Sequence, residues 1–136
     1  MQLIPETASI MSRKHHIPYA HNHALCDPKL NVRLGALYLK HLFKRMDNNY
    51  ILTTAAYNAG PGRIPKWLPK KTMDADLWIE TIPYYETRNY LQNVLTYIEI
   101  YQQLLDKRSI LAEVLSPIPG KNLPHTAFKG SPRNYG

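Results

Sequence analysis

Residues 53–63, Thr-Thr-Ala-Ala-Tyr-Asn-Ala-Gly-Pro-Gly-Arg, leave the backbone little choice. Gly60 suits the left-handed position after a helix C-terminus, and Pro61 behind it cannot continue the helix. Ala55, Ala56 and Ala59 are small enough to let a second helix backbone come close. The stretch therefore predicts a helix that ends at Gly60 beside a close neighbour. That ending accounts for Gly60 and Pro61 alone. Just inside it sit Tyr57 and Asn58, an aromatic plate and an amide with both donors and an acceptor. A helix stop and a ligand-holding helix end both fit the spacing.

The other segments read as helices around this one. Pro5 and Glu6 open a short helix reaching His15, with Ala8, Ile10 and Met11 available for burial. Pro18 and the polar His21, Asn22 and His23 make residues 16–26 a loop. Asp27-Pro28 is a helix start, because Asp accepts early amide hydrogens and Pro fits the first position. Over residues 31–46, Val32, Gly35, Leu39, Leu42, Phe43 and Met46 recur at three and four residues and predict one buried face, with Asn31 and Tyr38 bonding into the core. Asp47-Asn48-Asn49 is a turn. Residues 63–68 form a short turn carrying Trp67, and Asp74 caps a short helix through Ile82 that Pro83 closes.

The last long helix starts near Tyr84, with Tyr90, Leu91, Val94, Leu95, Ile98, Tyr101, Leu104 and Leu105 on an apolar stripe. From Ser116 on, prolines, glycines and basic residues leave too little apolar surface to offset the cost of ordering. The expected architecture is all-α, one helical domain over residues 1–115 and a flexible tail over 116–136.

Seventeen Lys and Arg against ten Asp and Glu give a net charge of +7, which favours a polyanionic partner or serves solubility. The basic residues are dispersed, with short clusters only at Arg13-Lys14, Lys70-Lys71 and Lys107-Arg108, and none reads as a nucleic-acid recognition helix. No run approaches the roughly 18 apolar residues of a membrane-spanning helix. Residues 1–8 have neither the basic start nor the apolar run of a signal peptide. His15, His16, His21, His23 and Cys26 invite a zinc reading, but the spacing does not match the paired pattern of a structural site, so solvated loop histidines are the preferred reading and no metal is expected. Cys26 is the single cysteine, which forbids an internal disulfide. No phosphate loop is present and no cofactor is expected.

The stretch Ala56-Tyr57-Asn58-Ala59-Gly60 with Pro61-Gly62-Arg63 resembles the soluble lytic murein transglycosylases, whose catalytic domain is goose-lysozyme-like. Three more segments resemble the family in the same order. Met1-Gln2-Leu3-Ile4-Pro5 is similar to the second half of its Gly-Leu-Met-Gln segment, with Ile4 where members often carry Met. Asp27-Pro28 with Asn31, Gly35, Tyr38 and Leu39 is similar to the helix that follows. Trp78-Ile79-Glu80-Thr81-Ile82-Pro83-Tyr84, then Glu86-Thr87-Arg88 and Tyr90, is similar to its late motif.

The resemblance implies a partial lysozyme-like helical domain acting on peptidoglycan glycan strands in the periplasm or cell envelope. The implied reaction cleaves the β-1,4 bond between N-acetylmuramic acid and N-acetylglucosamine and leaves a 1,6-anhydromuramyl end. It implies substrate contacts from Gln2, Tyr57, Asn58, Glu86 and Tyr90. The family's acid, a Glu followed by Ser, is expected upstream of Met1, so no catalytic residue is expected within the chain. The structural alternative for Glu86 is a first-turn carboxylate that favours the helix dipole or pairs with Arg88. Two other functions stay open: a catalytically inactive glycan-binding piece, and a basic helical module for nucleic acid.

Overall fold

Proline sets both helix starts in the first of the two units into which the chain divides, Met1–His41 and Leu42–Gly136. The computed structural model describes residues 3–19 and 22–121. Helix α1 (Pro5–Lys14) begins on Pro5, whose missing N–H would lack an intrahelical partner in a first turn anyway. Glu6 lies at its positive end and Arg13 and Lys14 at its negative end. Beyond it, His16 takes a positive φ of 52°. The chain then folds back: the Ile17 N–H donates to Ser12 O at 2.9 Å, and Ser12 Oγ donates to Ile17 O at 2.7 Å. This reversal seats Ile17 in a core with Leu3, Ala8, Met11 and Leu34.

Within the expected loop a short 3₁₀ turn forms over Asn22–Cys26. Helix α2 (Pro28–Arg45) starts as read, with Asp27 Oδ1 accepting the Lys29 N–H at 3.0 Å. Asn31 Nδ2 donates to Leu25 O at 3.1 Å, the core tie expected of it. The buried face of α2 matches the expected one at Gly35, Leu42 and Met46 and departs from it at Val32 and Leu39. Val32 is 57% exposed and Leu39 38% exposed, whereas Leu34 is fully buried and Leu30, Leu37 and Tyr38 pack beside it. Leu30, Leu34, Leu37 and Tyr38 form a second stripe at helical spacing, and in this unit it takes the inside. Leu42 and Met46, fully buried, belong to the second unit.

There the chain turns through Asp47 and Asn48, both at positive φ (52° and 60°), which short polar side chains tolerate. Asn49 then caps α3 (Tyr50–Ala59), its Oδ1 accepting the Leu52 N–H at 3.0 Å. Gly60 ends α3 where expected, at φ 90°, ψ 138°; the φ is positive but the ψ is extended, not the left-handed helical value. After α4 (Ile64–Trp67) and α5 (Ala75–Thr81), α6 (Tyr85–Leu104) packs along α3, α5 and α7 (Leu111–Val114). Asp74 holds the cap position of α5 but makes no side-chain cap bond. Ile51, Leu52, Ala55, Ala56, Ile64, Trp78, Ile79, Ile82, Leu91 and Ile118 are the buried apolar side chains that dominate this unit.

The α6 stripe is buried at Leu91, whereas Tyr101, Leu104 and Leu105 are 62%, 75% and 59% exposed. Helical spacing marks an amphipathic face, not how far along the helix a partner extends.

Residues 117–121, placed by the sequence in the expected tail, are docked onto the second unit. Met73 and Ile118 exchange backbone hydrogen bonds at 2.8 and 3.0 Å, Asn49 Nδ2 donates to Pro117 O at 3.1 Å, and the Lys121 N–H donates to Pro69 O at 2.8 Å. Ile118 is fully buried. One apolar side chain and four hydrogen bonds offset ordering that composition alone disfavoured; residues 122–136 of the expected tail lie outside the described residues. A Cβ on Gly120 would meet Lys70 O at 2.8 Å and Lys71 backbone carbons at 2.9 Å. Gly120→Ala is therefore expected to cost about 1–3 kcal/mol, since backbone rather than a side chain must move. Urea denaturation reads it, and an unchanged midpoint would show that residues 117–121 contribute nothing to the unit's stability.

Candidate functional site

The end of α3 and the start of α6 face each other across an open cleft of about 450 Å³, lined by Asn58, Ala59 and Arg63 on one side and residues 83–87 on the other. Both walls follow from helix-breaking residues. Gly60 at positive φ turns the chain away after α3 and brings Arg63 beside it; Pro83 holds the preceding Ile82 in extended backbone at the end of α5, and Tyr84, also extended, is the last residue before α6. A hydrogen bond joins the walls, Thr87 Oγ1 donating to Asn58 Oδ1 at 2.8 Å. That bond uses the amide oxygen and leaves the two Nδ2 hydrogens of Asn58 without a partner among the described residues. Glu86, exposed in the first turn of α6, has no hydrogen-bond or ion-pair partner among them either.

Aromatic and cationic groups complete the lining. Tyr84 is 45% exposed. The Arg63 guanidinium lies 4.7 Å from its ring centroid, and the ring meets Trp67 edge-on at 5.3 Å. Arg88 is engaged elsewhere: its Nη1 donates to Ile82 O at 2.7 Å, and its guanidinium sits 5.8 Å from the Tyr85 ring. The Glu86–Arg88 pairing weighed as a structural role for Glu86 does not form. The cleft thus offers amide donors, a carboxylate acceptor, a cation and an aromatic face, the groups that a molecule rich in hydroxyls and amides with an apolar side would use.

Of the five residues singled out in the sequence, Asn58 and Glu86 line this cleft together. Tyr57 precedes Asn58 on α3 and is half-buried, with its hydroxyl inside, away from the lining. Tyr90 lies one turn beyond Glu86 on α6 and is also half-buried; burial raises its hydroxyl pKa, so it stays protonated through the neutral range as a donor. Gln2 lies outside the described residues. Arg63, Tyr84, Tyr85 and Thr87 were not singled out. The signal for Arg63 was its place at the end of the 53–63 stretch, and for Tyr84 and Thr87 their place around Glu86. Among the described residues no group of three or more His, Cys, Asp or Glu side chains is arranged to hold a metal, and no helix is long and apolar enough to cross a membrane.

The family model described as "Transglycosylase SLT domain" matches residues 1–78, more than half of the chain. The chain belongs to that family. A second model, "Soluble lytic transglycosylase helical domain", matches residues 81–109. The cleft is thus lined from both matched segments. The soluble lytic murein transglycosylase of Escherichia coli K12 is 39% identical over 116 residues, an alignment covering 82% of this chain and 18% of the relative. This transglycosylase SLT chain therefore spans about a fifth of the length of the curated relatives that it matches. Among solved structures, an inactive mutant of the lytic transglycosylase Slt from Pseudomonas aeruginosa is 49% identical with a TM-score of 0.75, over 81% of this chain and 18% of that one. The 70 kDa soluble lytic transglycosylase from Escherichia coli is 36% identical with a TM-score of 0.78, over 87% of this chain and 20% of that one. The all-α, lysozyme-like character expected from the resemblance stands.

Proposed function

We propose that residues 1–115 form the C-terminal part of a lytic transglycosylase catalytic domain and supply its glycan-holding wall. The substrate is murein, in the periplasm or cell envelope, and the bond cut is the β-1,4 link between N-acetylmuramic acid and N-acetylglucosamine. The observation that supports the reading best is the convergence on one open cleft of Asn58, with free amide donors, and Glu86, with a free carboxylate, beside the exposed ring of Tyr84. A sugar presents acetamido and hydroxyl groups to such donors and acceptors and an apolar face to such a ring.

In the reaction proposed, a carboxylic acid protonates the glycosidic oxygen and the N-acetylglucosamine leaves with that proton. The C6 hydroxyl of the muramyl residue closes on C1, giving the 1,6-anhydro end and returning its own proton to the carboxylate. The attacking oxygen belongs to the substrate, so one carboxyl acts as acid and then base where ordinary glycosidases use two. Glu86 is exposed and is assigned to accepting hydrogen bonds from the glycan. The acid in this reading is the Glu of the family's Glu-Ser segment, ahead of Gln2. Gln2 and the protonated Tyr90 complete the contacts, whereas Tyr57, whose hydroxyl is buried away from the lining, is assigned none.

Sedimentation with purified murein sacculi tests the wall. Glu86→Gln removes the charge of an exposed side chain, and Asn58→Ala removes the amide donors at the end of α3; each is expected to weaken retention about 3–10-fold, the range of one or two lost hydrogen bonds. The thermal midpoint of Glu86→Gln should stay within a degree or two. A several-degree drop with retention unchanged would assign these residues to structure and remove the support for a glycan cleft.

A further inference from the structure

We propose that Arg63 is the residue that recognises a carboxylate carried by the glycan and so gives the cleft a charge preference. The inference rests on the glycan reading and adds a charge preference to it. Two arginines border the start of α6, both stacked on tyrosine rings, and they differ in what their N–H groups do. Arg88 donates to the Ile82 carbonyl at 2.7 Å and is thereby tied to the backbone. Arg63 has its guanidinium 4.7 Å from the Tyr84 centroid and makes no side-chain hydrogen bond or ion pair among the described residues.

The ring that holds Arg63 is itself braced, since Tyr84 meets Trp67 edge-on at 5.3 Å and Trp67 O accepts from Trp78 Nε1 at 2.8 Å. The Arg63 backbone is fixed by its N–H to Gly60 O at 3.3 Å. The ring contact uses none of the guanidinium N–H groups in hydrogen bonds, so the N–H fork that meets a carboxylate bidentately is unspent among the described residues. A positioned cation loses less freedom on binding than a mobile one. Glu86 lines the same cleft and disfavours a second carboxylate near itself, so an anionic substituent has one favourable place, against Arg63.

N-acetylmuramic acid differs from N-acetylglucosamine by a lactyl ether that ends in a carboxyl. In murein a peptide is joined at that carboxyl and brings carboxylates of its own. Both sources present the same chemistry to Arg63.

Calorimetric titration of the chain with four probes separates them: N-acetylglucosaminyl-N-acetylmuramic acid, its neutral methylamide, the same disaccharide bearing an alanyl-isoglutamate dipeptide, and neutral chitobiose. The free acid or the dipeptide form should bind about ten-fold tighter than the methylamide, the range of a charge-assisted hydrogen-bonded pair. Preference for the free acid alone assigns the lactyl carboxylate, and preference for the dipeptide form assigns the peptide. In Arg63→Gln the ratio of free-acid or dipeptide affinity to methylamide affinity should fall to near one, and Arg63→Lys should keep part of the preference as a point charge. A wild-type ratio near one, or a preference that survives in Arg63→Gln, overturns the proposal while neutral binding keeps the glycan reading. Binding of none of the four removes the glycan reading, and this inference with it.

Discussion

Trp78→Ala is expected to destabilise the second unit by about 3–5 kcal/mol, the range for deleting a fully buried large aromatic. Trp78 has no exposed surface, and its Nε1–H is the donor to Trp67 O at 2.8 Å. Alanine removes the ring, leaves a cavity beside Ile79 and Ile82, and strips that carbonyl of its partner. For a unit of this size the thermal midpoint should fall by more than about 10 °C. Trp78→Phe keeps most of the apolar volume and loses chiefly the hydrogen bond, so about 1–2 kcal/mol is expected. Trp67 leads directly to the Tyr84 ring, so the alanine variant should also loosen the cleft wall and weaken glycan retention in the molecules that stay folded. Urea denaturation of both variants decides the matter. A cost below about 1 kcal/mol for Trp78→Ala would mean that the side chain does not hold the unit together.

What the sequence disclosed follows the range of each interaction. The end of α3 was legible because Gly60 and Pro61 act on their own backbone, and the start of α2 was legible because Asp27 caps within two residues. The inside face of α2 was legible at Gly35, Leu42 and Met46 but not at Val32 and Leu39, since a second stripe shares the helical spacing and only tertiary packing brings Leu34 inside. The docking of Ile118 was hidden for a similar reason. Its partner Met73 lies 45 residues earlier, the Asn49 cap that bonds the neighbouring Pro117 lies 68 residues before that proline, and no local composition encodes either. At the site, Asn58 and Glu86 could be marked by resemblance, but their bridge through Thr87 and the stacking of Arg63 on Tyr84 join residues 29 and 21 positions apart. Helix stops can be read from a sequence, whereas the groups that face each other across a cleft depend on how the stops are assembled.

The largest expected effect concerns turnover. None of the five glutamates in the sequence is followed by Ser: Glu6, Glu80 and Glu86 precede Thr, Glu99 precedes Ile and Glu113 precedes Val. Among the described residues Glu86 is the one acidic residue lining the cleft, and it is exposed. The 136-residue polypeptide is therefore expected to release no 1,6-anhydromuropeptides from purified murein above a buffer blank. A polypeptide extended ahead of Met1 by the family's Glu-Ser segment should release them at a rate at least about 10²–10⁴-fold higher, the usual contribution of a positioned general acid. Glu→Gln at the added acid should return the rate to the blank. Glu86→Gln in the same extended protein should lower turnover by less, because it removes a binding acceptor and not the proton donor. Mass spectrometry of the soluble products reads all three. Anhydro products from the 136-residue chain at the rate of the extended protein, abolished by Glu86→Gln, would make Glu86 the acid and reverse the division of labour proposed between this chain and the segment ahead of it.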